Sequence, residues 1–126
     1  MVKNVSCYRW FRIFIFETIA TSLLTYGIMC SQYMNPPFPR PDAYQPVLNP
    51  GHSIFQSCAL FLSLCFAGQL TGGHCNPAVT ISLLISRGNR ITFIVAFNYI
   101  LSQFIGAIIG GVLAWTLVDD FTIPAL

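Results

Sequence analysis

Residues 71–80 read TGGHCNPAVT, a polar, glycine-containing stretch that lies between two long apolar runs. Irregular polar backbone at membrane depth is stable only where protein buries it or where it lines a wet cavity. Asparagine is a preferred helix cap and proline suits the first helical position, so Asn76 and Pro77 predict a short helix that ends near Ser86. The four residues before Asn76 are expected to be extended, with free carbonyl groups.

The predicted short helix is too short to cross a hydrocarbon core of about 30 Å. We therefore expect it to enter the membrane and return to the side from which it came. A helix N-terminus carries roughly half a positive charge and unpaired N–H groups. Placed inside a membrane, such an end would handle polar solutes and disfavour cations.

The composition indicates one membrane domain, because 55% of the 126 residues are hydrophobic and only 8% are charged. The net charge of +2 is too small to indicate a nucleic-acid partner. The five cysteines are odd in number and have no metal-ligand spacing, so we expect packing roles for them. No acid–base pair, nucleophile constellation or phosphate loop is present in the sequence, so neither an enzyme nor a cofactor is expected.

Three apolar segments are long enough to span a bilayer. The predicted order is a helix over 10–33, a proline-rich loop over 35–51, a helix over 52–70, the loop and half-helix over 71–86, and a helix over 91–118. A signal peptide is the alternative for the first segment, but its length and its internal carboxylate favour a span. The chain is thus predicted to be an all-α membrane protein with three transmembrane helices and one re-entrant half-helix.

Glu17 is the only acidic residue inside a predicted span. A charge there costs about 3 kcal/mol or more unless it faces protein or water. It could lie close enough to the interface to reach water, but we favour a buried carboxylate that accepts hydrogen bonds from loop N–H groups. In the third span, Gly106 and Gly110 have the GxxxG spacing that lets helices approach closely.

Lys and Arg positions predict the orientation of the chain. Re-entry of the half-helix puts five of the six basic residues on the side of the N-terminus: Lys3, Arg9, Arg12, Arg87 and Arg90. The positive-inside rule makes that side cytoplasmic. The opposite side holds Arg40 together with Asp42, Asp119 and Asp120.

Taken together, these residues resemble the aquaporin (major intrinsic protein) family. TGGHCNPAVT is similar to the first NPA box of that family. Glu17 with Ala20-Thr21 resembles the ExxAT pattern of the first helix. Residues 99–107, YILSQFIGA, resemble the YxxAQxxGA pattern of the third helix, with Ser102 where alanine is usual. The resemblance covers nearly the whole chain and implies one half of the inverted-repeat aquaporin fold.

The resemblance implies a pore built around the NPA box. Asn76 would direct its amide N–H groups toward a passing water or hydroxylated solute, and Val79 would supply an apolar wall. Pro77 and Ala78 would hold the half-helix against its partner. A ladder of carbonyl acceptors would come from Gly72, Gly73, His74 and Cys75. His74 would stabilise the loop rather than bind a metal.

The resemblance also implies two anchoring residues and a selectivity filter. Glu17 would anchor a pore loop from behind, and Gln103 would do the same for the other pore loop of the family. Counting back from the box puts Gln56 at a filter position where water-selective members have phenylalanine, and a one-residue shift of the helix would put Phe55 there instead. Glutamine there would suggest a wider, more polar filter that admits glycerol.

The family is built from two inverted halves, and this sequence contains only the first NPA box. The resemblance implies a passive channel for water and small neutral solutes that lies in a lipid bilayer. It also implies a tetramer, and glycines that face neighbouring subunits would be compatible with one. The alternative is a truncated, non-conducting membrane protein that associates with full-length relatives.

Overall fold

The computed structural model describes residues 7–33, 50–86 and 91–122. The described residues form four α-helices: α1 (Cys7–Tyr33), α2 (Pro50–Thr71), α3 (Pro77–Ile85) and α4 (Phe93–Thr122). The predicted loop over 35–51 lies outside them except for its last two residues, and Lys3, Arg40, Arg87 and Arg90 also lie outside.

Three of the helices are long and apolar enough to cross a membrane, over Cys7–Gln32, Pro50–Thr71 and Phe93–Leu117. The prediction of an all-α membrane fold is confirmed. The predicted first and last residues of the helices differ from the observed ones by a few residues. The first helix begins at Cys7 instead of residue 10, and the last runs from Phe93 to Thr122 instead of over 91–118. Pro50 and Gly51, predicted as loop, start α2 because proline needs no backbone donor in a first helical turn.

The first helix, α1, packs against both α2 and α4, and α3 packs against α4. The glycines of α4 show how closely α1 and α4 approach. A Cβ added at Gly106 would overlap the Thr18 carbonyl oxygen, and one added at Gly110 would overlap the carbonyl oxygen of Ser22. Residue numbers therefore increase in the same direction along both helices, so α1 and α4 are parallel. The pair Gly106 and Gly110 therefore packs inside the chain, and the predicted close helix approach at this GxxxG spacing is the one between α4 and α1.

The second helix, α2, runs antiparallel to α1. A Cβ added at Gly27 would overlap Ala59 near the start of α2, whereas the Phe16 ring lies 5.4 Å from the Phe66 ring near its end. Small residues again set this close approach. The last turn of α2 is thereby placed beside the middle of α1.

The short helix α3 has nine residues, about 14 Å at about 1.5 Å per residue. Near its start, Thr80 contacts Gln103, which lies ten residues after the first residue of α4. The chain nevertheless enters α4 at Phe93, soon after α3 ends. It follows that α3 begins beside the interior of α4 and runs back toward the start of α4, as a re-entrant half-helix does.

The glycine contacts with α1 generate a prediction about stability. Gly110→Ala should lower the free energy of unfolding by about 2 kcal/mol, because the added methyl group overlaps the Ser22 carbonyl. Thermal unfolding of the detergent-solubilised chain, followed by circular dichroism, measures the loss. Gly111→Ala is the matched control, since a Cβ there meets nothing within 4 Å. Equal stability of the two variants would contradict the close α1–α4 contact.

Candidate functional site

The loop between α2 and α3 turns sharply. Gly72, Gly73 and Cys75 have positive φ angles of 95°, 62° and 46°. The expectation that Gly72 to Cys75 are extended was therefore wrong, because the chain must reverse within a few residues to carry α3 back. Glycine adopts such angles without strain, and a Cβ at Gly73 would lie only 3.1 Å from the Gly68 backbone.

Asn76 caps the half-helix as predicted. Its backbone is extended, with φ −155° and ψ 125°, and its side-chain Oδ1 accepts a hydrogen bond from the Ala78 N–H at 2.9 Å. Pro77 occupies the first helical position, and Ser86 caps the other end. The cap uses the oxygen of the Asn76 amide, so its exposed Nδ2 group keeps two donors for another acceptor.

Glu17 lies completely buried behind the loop, with 0% of its surface exposed. Its Oε1 accepts hydrogen bonds from the His74 N–H at 3.1 Å and the Thr71 hydroxyl at 2.6 Å. Its Oε2 accepts from the Cys75 N–H at 2.8 Å and from Gln103 Nε2 at 3.1 Å. The buried alternative for Glu17 is therefore the one observed. Its carboxylate satisfies loop donors that no helix could pair.

Gln103 joins α4 to the same loop. Its Nε2 donates to Glu17 and, at 3.2 Å, to the Thr80 hydroxyl oxygen. Thr80 is fully buried, and its hydroxyl also lies 3.0 Å from His74 Nδ1 and 3.3 Å from the Asn76 carbonyl. Gln103 Oε1 is buried and has no hydrogen-bond partner among the described residues. Gln103 thus secures the first loop, and its role toward a second loop stays a prediction.

Tyr99 and Thr80 also contact the loop, although the sequence pattern predicted no role for either. The Tyr99 ring stacks on the His74 ring, with centroids 4.1 Å apart and planes 14° apart. Its hydroxyl donates to the Thr71 carbonyl oxygen. The sequence did contain a signal for Tyr99. It precedes Gln103 by four residues, so the two side chains share one face of α4.

The opposite side of the loop is open. Val79, Asn76 and Ala78 are exposed, with Val79 at 41%, and Pro77 is half-buried. Within the described part of the chain, no N–H or O–H group donates to the four carbonyl oxygens of residues 72–75. The open side thus presents the amide donors of Asn76 and an apolar surface, whereas Gly73, His74 and Cys75, whose carbonyl oxygens are unpaired, are buried residues.

The structure does not bring the predicted filter residues next to the NPA sequence. Gln56 lies 15 residues before the end of α2, roughly 22 Å away along the helix. Gln56 is half-buried and makes no hydrogen bond within the described ranges. Phe55 is 36% exposed, and its ring edge lies 3.9 Å from a Cβ added at Gly27. A filter at Gln56 stays a prediction.

No group of three or more His, Cys, Asp and Glu residues that could hold a metal ion occurs in residues 7–33, 50–86 and 91–122. Cys75 is buried against Ala20 and Ala67 between the loop, α1 and α2. The four other cysteines are also free thiols. Cys75 therefore packs the loop.

The contacts of Glu17 predict slow hydrogen exchange in the loop. Glu17→Gln replaces one acceptor oxygen by an amide that repels the loop donors, so a buried N–H loses its partner at a cost of about 2 kcal/mol. We expect the amide that loses its acceptor, that of His74 or that of Cys75, to exchange at least tenfold faster. Residue-resolved hydrogen exchange in nanodiscs measures this.

The amide of Gly72 is the internal control, because it donates to the Gly68 carbonyl at 3.1 Å and does not contact Glu17. Unchanged exchange of the His74 and Cys75 amides in the variant would show that Glu17 does not hold the loop.

Comparison with known proteins identifies the relatives of the chain. The family model described as Major intrinsic protein matches residues 3–122. Aquaporin TIP2-3 of Arabidopsis thaliana is 31% identical over 111 residues, which are 88% of this chain and 44% of the relative. Probable aquaporin TIP-type RB7-5A of Nicotiana tabacum is 27% identical over the same shares of both chains. Aquaporin-5 of Mus musculus is 49% identical over 49 residues, 38% of this chain and 18% of the relative.

The chain thus spans less than half the length of the plant relatives that it matches. No solved structure matches it.

Proposed function

Because the chain belongs to the major intrinsic protein family, whose members are membrane channels and not enzymes, we propose that it forms the first half of a passive channel for water and small neutral solutes. The observation that carries the proposal is the capped N-terminus of α3. That end lies beside the interior of α4, presents exposed Asn76 and is held from behind by buried Glu17.

The two sides of the loop have different roles in the proposed channel. Glu17, Gln103 and Thr80 hold the loop through bonds on its buried side. On the open side, Asn76 Nδ2 donates to the oxygen of a passing water or alcohol, and the loop carbonyls accept its hydrogen atoms. Val79 interrupts this polar path with apolar surface. The positive end of α3 raises the energy of a cation at the same place.

We assign Asn76-Pro77-Ala78 as the first of two NPA sequences, with the second supplied by an inverted half. Buried Gln103 Oε1, which lacks a donor within the described structure, supports this assignment. A backbone N–H of a second loop would provide that donor. Pro77 and Ala78 would pack the two half-helices against each other.

The solute proposed for this channel is water together with glycerol-sized neutral alcohols. The support is Gln56 at the filter position beside Phe55, where an amide makes a wider and more polar opening than a ring. We further propose a cytoplasmic N-terminus, supported by the distribution of basic residues, and a tetramer, supported by family membership.

Osmotic shrinkage of liposomes, followed by light scattering, tests the channel. The chain should be reconstituted alone and together with the C-terminal half of a full-length relative. We expect water flux at the bare-lipid rate for the chain alone and at least tenfold faster flux with both halves. Asn76→Asp should abolish the fast flux, because a carboxylate replaces the two amide donors. Asn35→Asp, outside the described residues, makes the same chemical change in the predicted proline-rich loop and should conduct normally.

Two other results would change the proposal. Fast flux from the chain alone, lost in Asn76→Asp, would show that copies of this chain build a pore without a second half. Bare-lipid flux with both halves inserted and folded would contradict a channel role. It would favour the alternative of a non-conducting protein that binds full-length relatives, which co-purification detects.

A further inference from the structure

Arg12 carries a positive charge near the start of α1. Its guanidinium lies over the Tyr8 ring, with Cζ 6.0 Å from the ring centroid. Tyr8 precedes Arg12 by one helical turn, so the long side chain of Arg12 runs back toward the first residue of α1. Its Nε is buried without a hydrogen-bond partner, and no ion pair joins Arg12 to another residue in the described ranges. The guanidinium therefore needs an anion from outside the described protein.

Arg9 lies beside Arg12 and is exposed. The two arginines are three residues apart, so their side chains are neighbours on the surface of α1. Arg9 also forms no hydrogen bond or ion pair with a described residue. The one carboxylate among the described side chains, that of Glu17, is buried and already accepts four hydrogen bonds. Arg9 and Arg12, near the positive end of α1 at Cys7, thus form an arginine patch without a protein anion.

The arginine patch lies at one end of a helix that is long and apolar enough to cross a membrane, over Cys7–Gln32. Arg12 is five residues inside this segment, about 7.5 Å along the helix. An arginine within a span is tolerated when its charged end reaches the membrane interface. The contact with Tyr8 shows this direction, because it places the guanidinium one turn closer to the end of the span. Trp10 between the two arginines is a residue type enriched at the same interface.

The same face of α1 is apolar deeper in the span. Ile19 and Leu23 follow Arg12 by seven and eleven residues, which keeps them on its helix face, and both are exposed. A cationic site at the interface that continues into an exposed apolar stripe matches a phospholipid, which has an anionic head and hydrocarbon chains. A free phosphate ion would contact the arginine patch and leave the stripe unused.

We propose that Arg9 and Arg12 bind the phosphate of an anionic phospholipid whose acyl chains lie along Ile19 and Leu23. The planar fork of Arg12 donates to two phosphate oxygens, and Arg9 supplies a second positive charge. The Tyr8 ring holds the Arg12 guanidinium through a cation–π contact. With the proposed cytoplasmic N-terminus, the lipid belongs to the cytoplasmic leaflet, where anionic lipids are concentrated. The site does not require the chain to conduct.

Native mass spectrometry of the detergent-solubilised chain tests the site. We titrate the chain with dioleoyl phosphatidylglycerol, and in parallel with dioleoyl phosphatidylcholine, which has the same acyl chains and no net charge. Phosphatidylglycerol should give a saturable adduct at concentrations where phosphatidylcholine gives none. Arg12→Gln should weaken the apparent affinity about tenfold, the loss expected from charge-assisted hydrogen bonds. Arg9→Gln, at an exposed position that leaves the packing intact, should weaken it about threefold.

Two matched controls separate a site from general charge attraction. Arg87→Gln combined with Arg90→Gln, outside the described residues, removes the same two charges as Arg9→Gln combined with Arg12→Gln. Only the second pair should lose the adduct, and equal losses would overturn the proposal. Inorganic phosphate at tenfold excess over the lipid should leave the adduct in place. Its displacement by inorganic phosphate would show a site for a free ion and would also overturn the proposal.

The tyrosine contact is tested in the same titration. Tyr8→Leu removes the ring beside the guanidinium and should weaken lipid affinity severalfold, whereas Tyr8→Phe keeps the ring and should bind normally. Phe11→Leu is the matched control, because Phe11 is an exposed aromatic residue on the same helix end without a listed arginine contact in the described structure. Equal affinities of Tyr8→Leu and the unmodified chain would show that the ring does not position Arg12. Phosphatidylcholine bound as tightly as phosphatidylglycerol would contradict recognition of the anion.

Discussion

The structure depends on the bonds between the Glu17 carboxylate and the loop that follows α2. A carboxylate in the membrane is costly unless protein satisfies it, and so are backbone N–H groups that leave a helix at depth. The N–H groups of His74 and Cys75 cannot pair within a helix because the chain reverses there. The hydrogen bonds from these two N–H groups to Glu17 satisfy the loop donors and the buried carboxylate at the same time. An irregular loop can therefore persist inside an apolar bundle.

Close helix packing makes this contact reachable. Gly106 lets the backbone of α4 touch α1 one residue from Glu17, at Thr18, and the small residues of the α1–α2 contact bring the end of α2 near it. Gln103 and Tyr99, both on α4, then bond the carboxylate and the last carbonyl of α2. A bulkier residue at the glycine would move the acceptor away from its donors. The close packing of the helices and the hydrogen bonds of Glu17 therefore depend on each other.

This arrangement also leaves Asn76, Ala78 and Val79 exposed at the start of α3. Within the described ranges, the side chains that bond residues 74 and 75 from other helices are Glu17 of α1 and Thr80 of α3, and both are buried. The two ends of the Asn76 side-chain amide also differ. Its oxygen caps α3, and its nitrogen donates to no acceptor within the described residues. The Asn76 nitrogen is therefore not engaged in holding the loop in place.

The sequence alone determined the three spans and the half-helix with its Asn76 cap, and it favoured a buried role for Glu17, because these follow from local propensity and from the cost of charge in lipid. It did not determine the positive φ angles of the loop or the position of Tyr99 on His74. Nor did it show that Gly110 faces α1 instead of a neighbouring subunit. Those depend on which helix surfaces meet, and residues distant in the chain meet only in the tertiary structure.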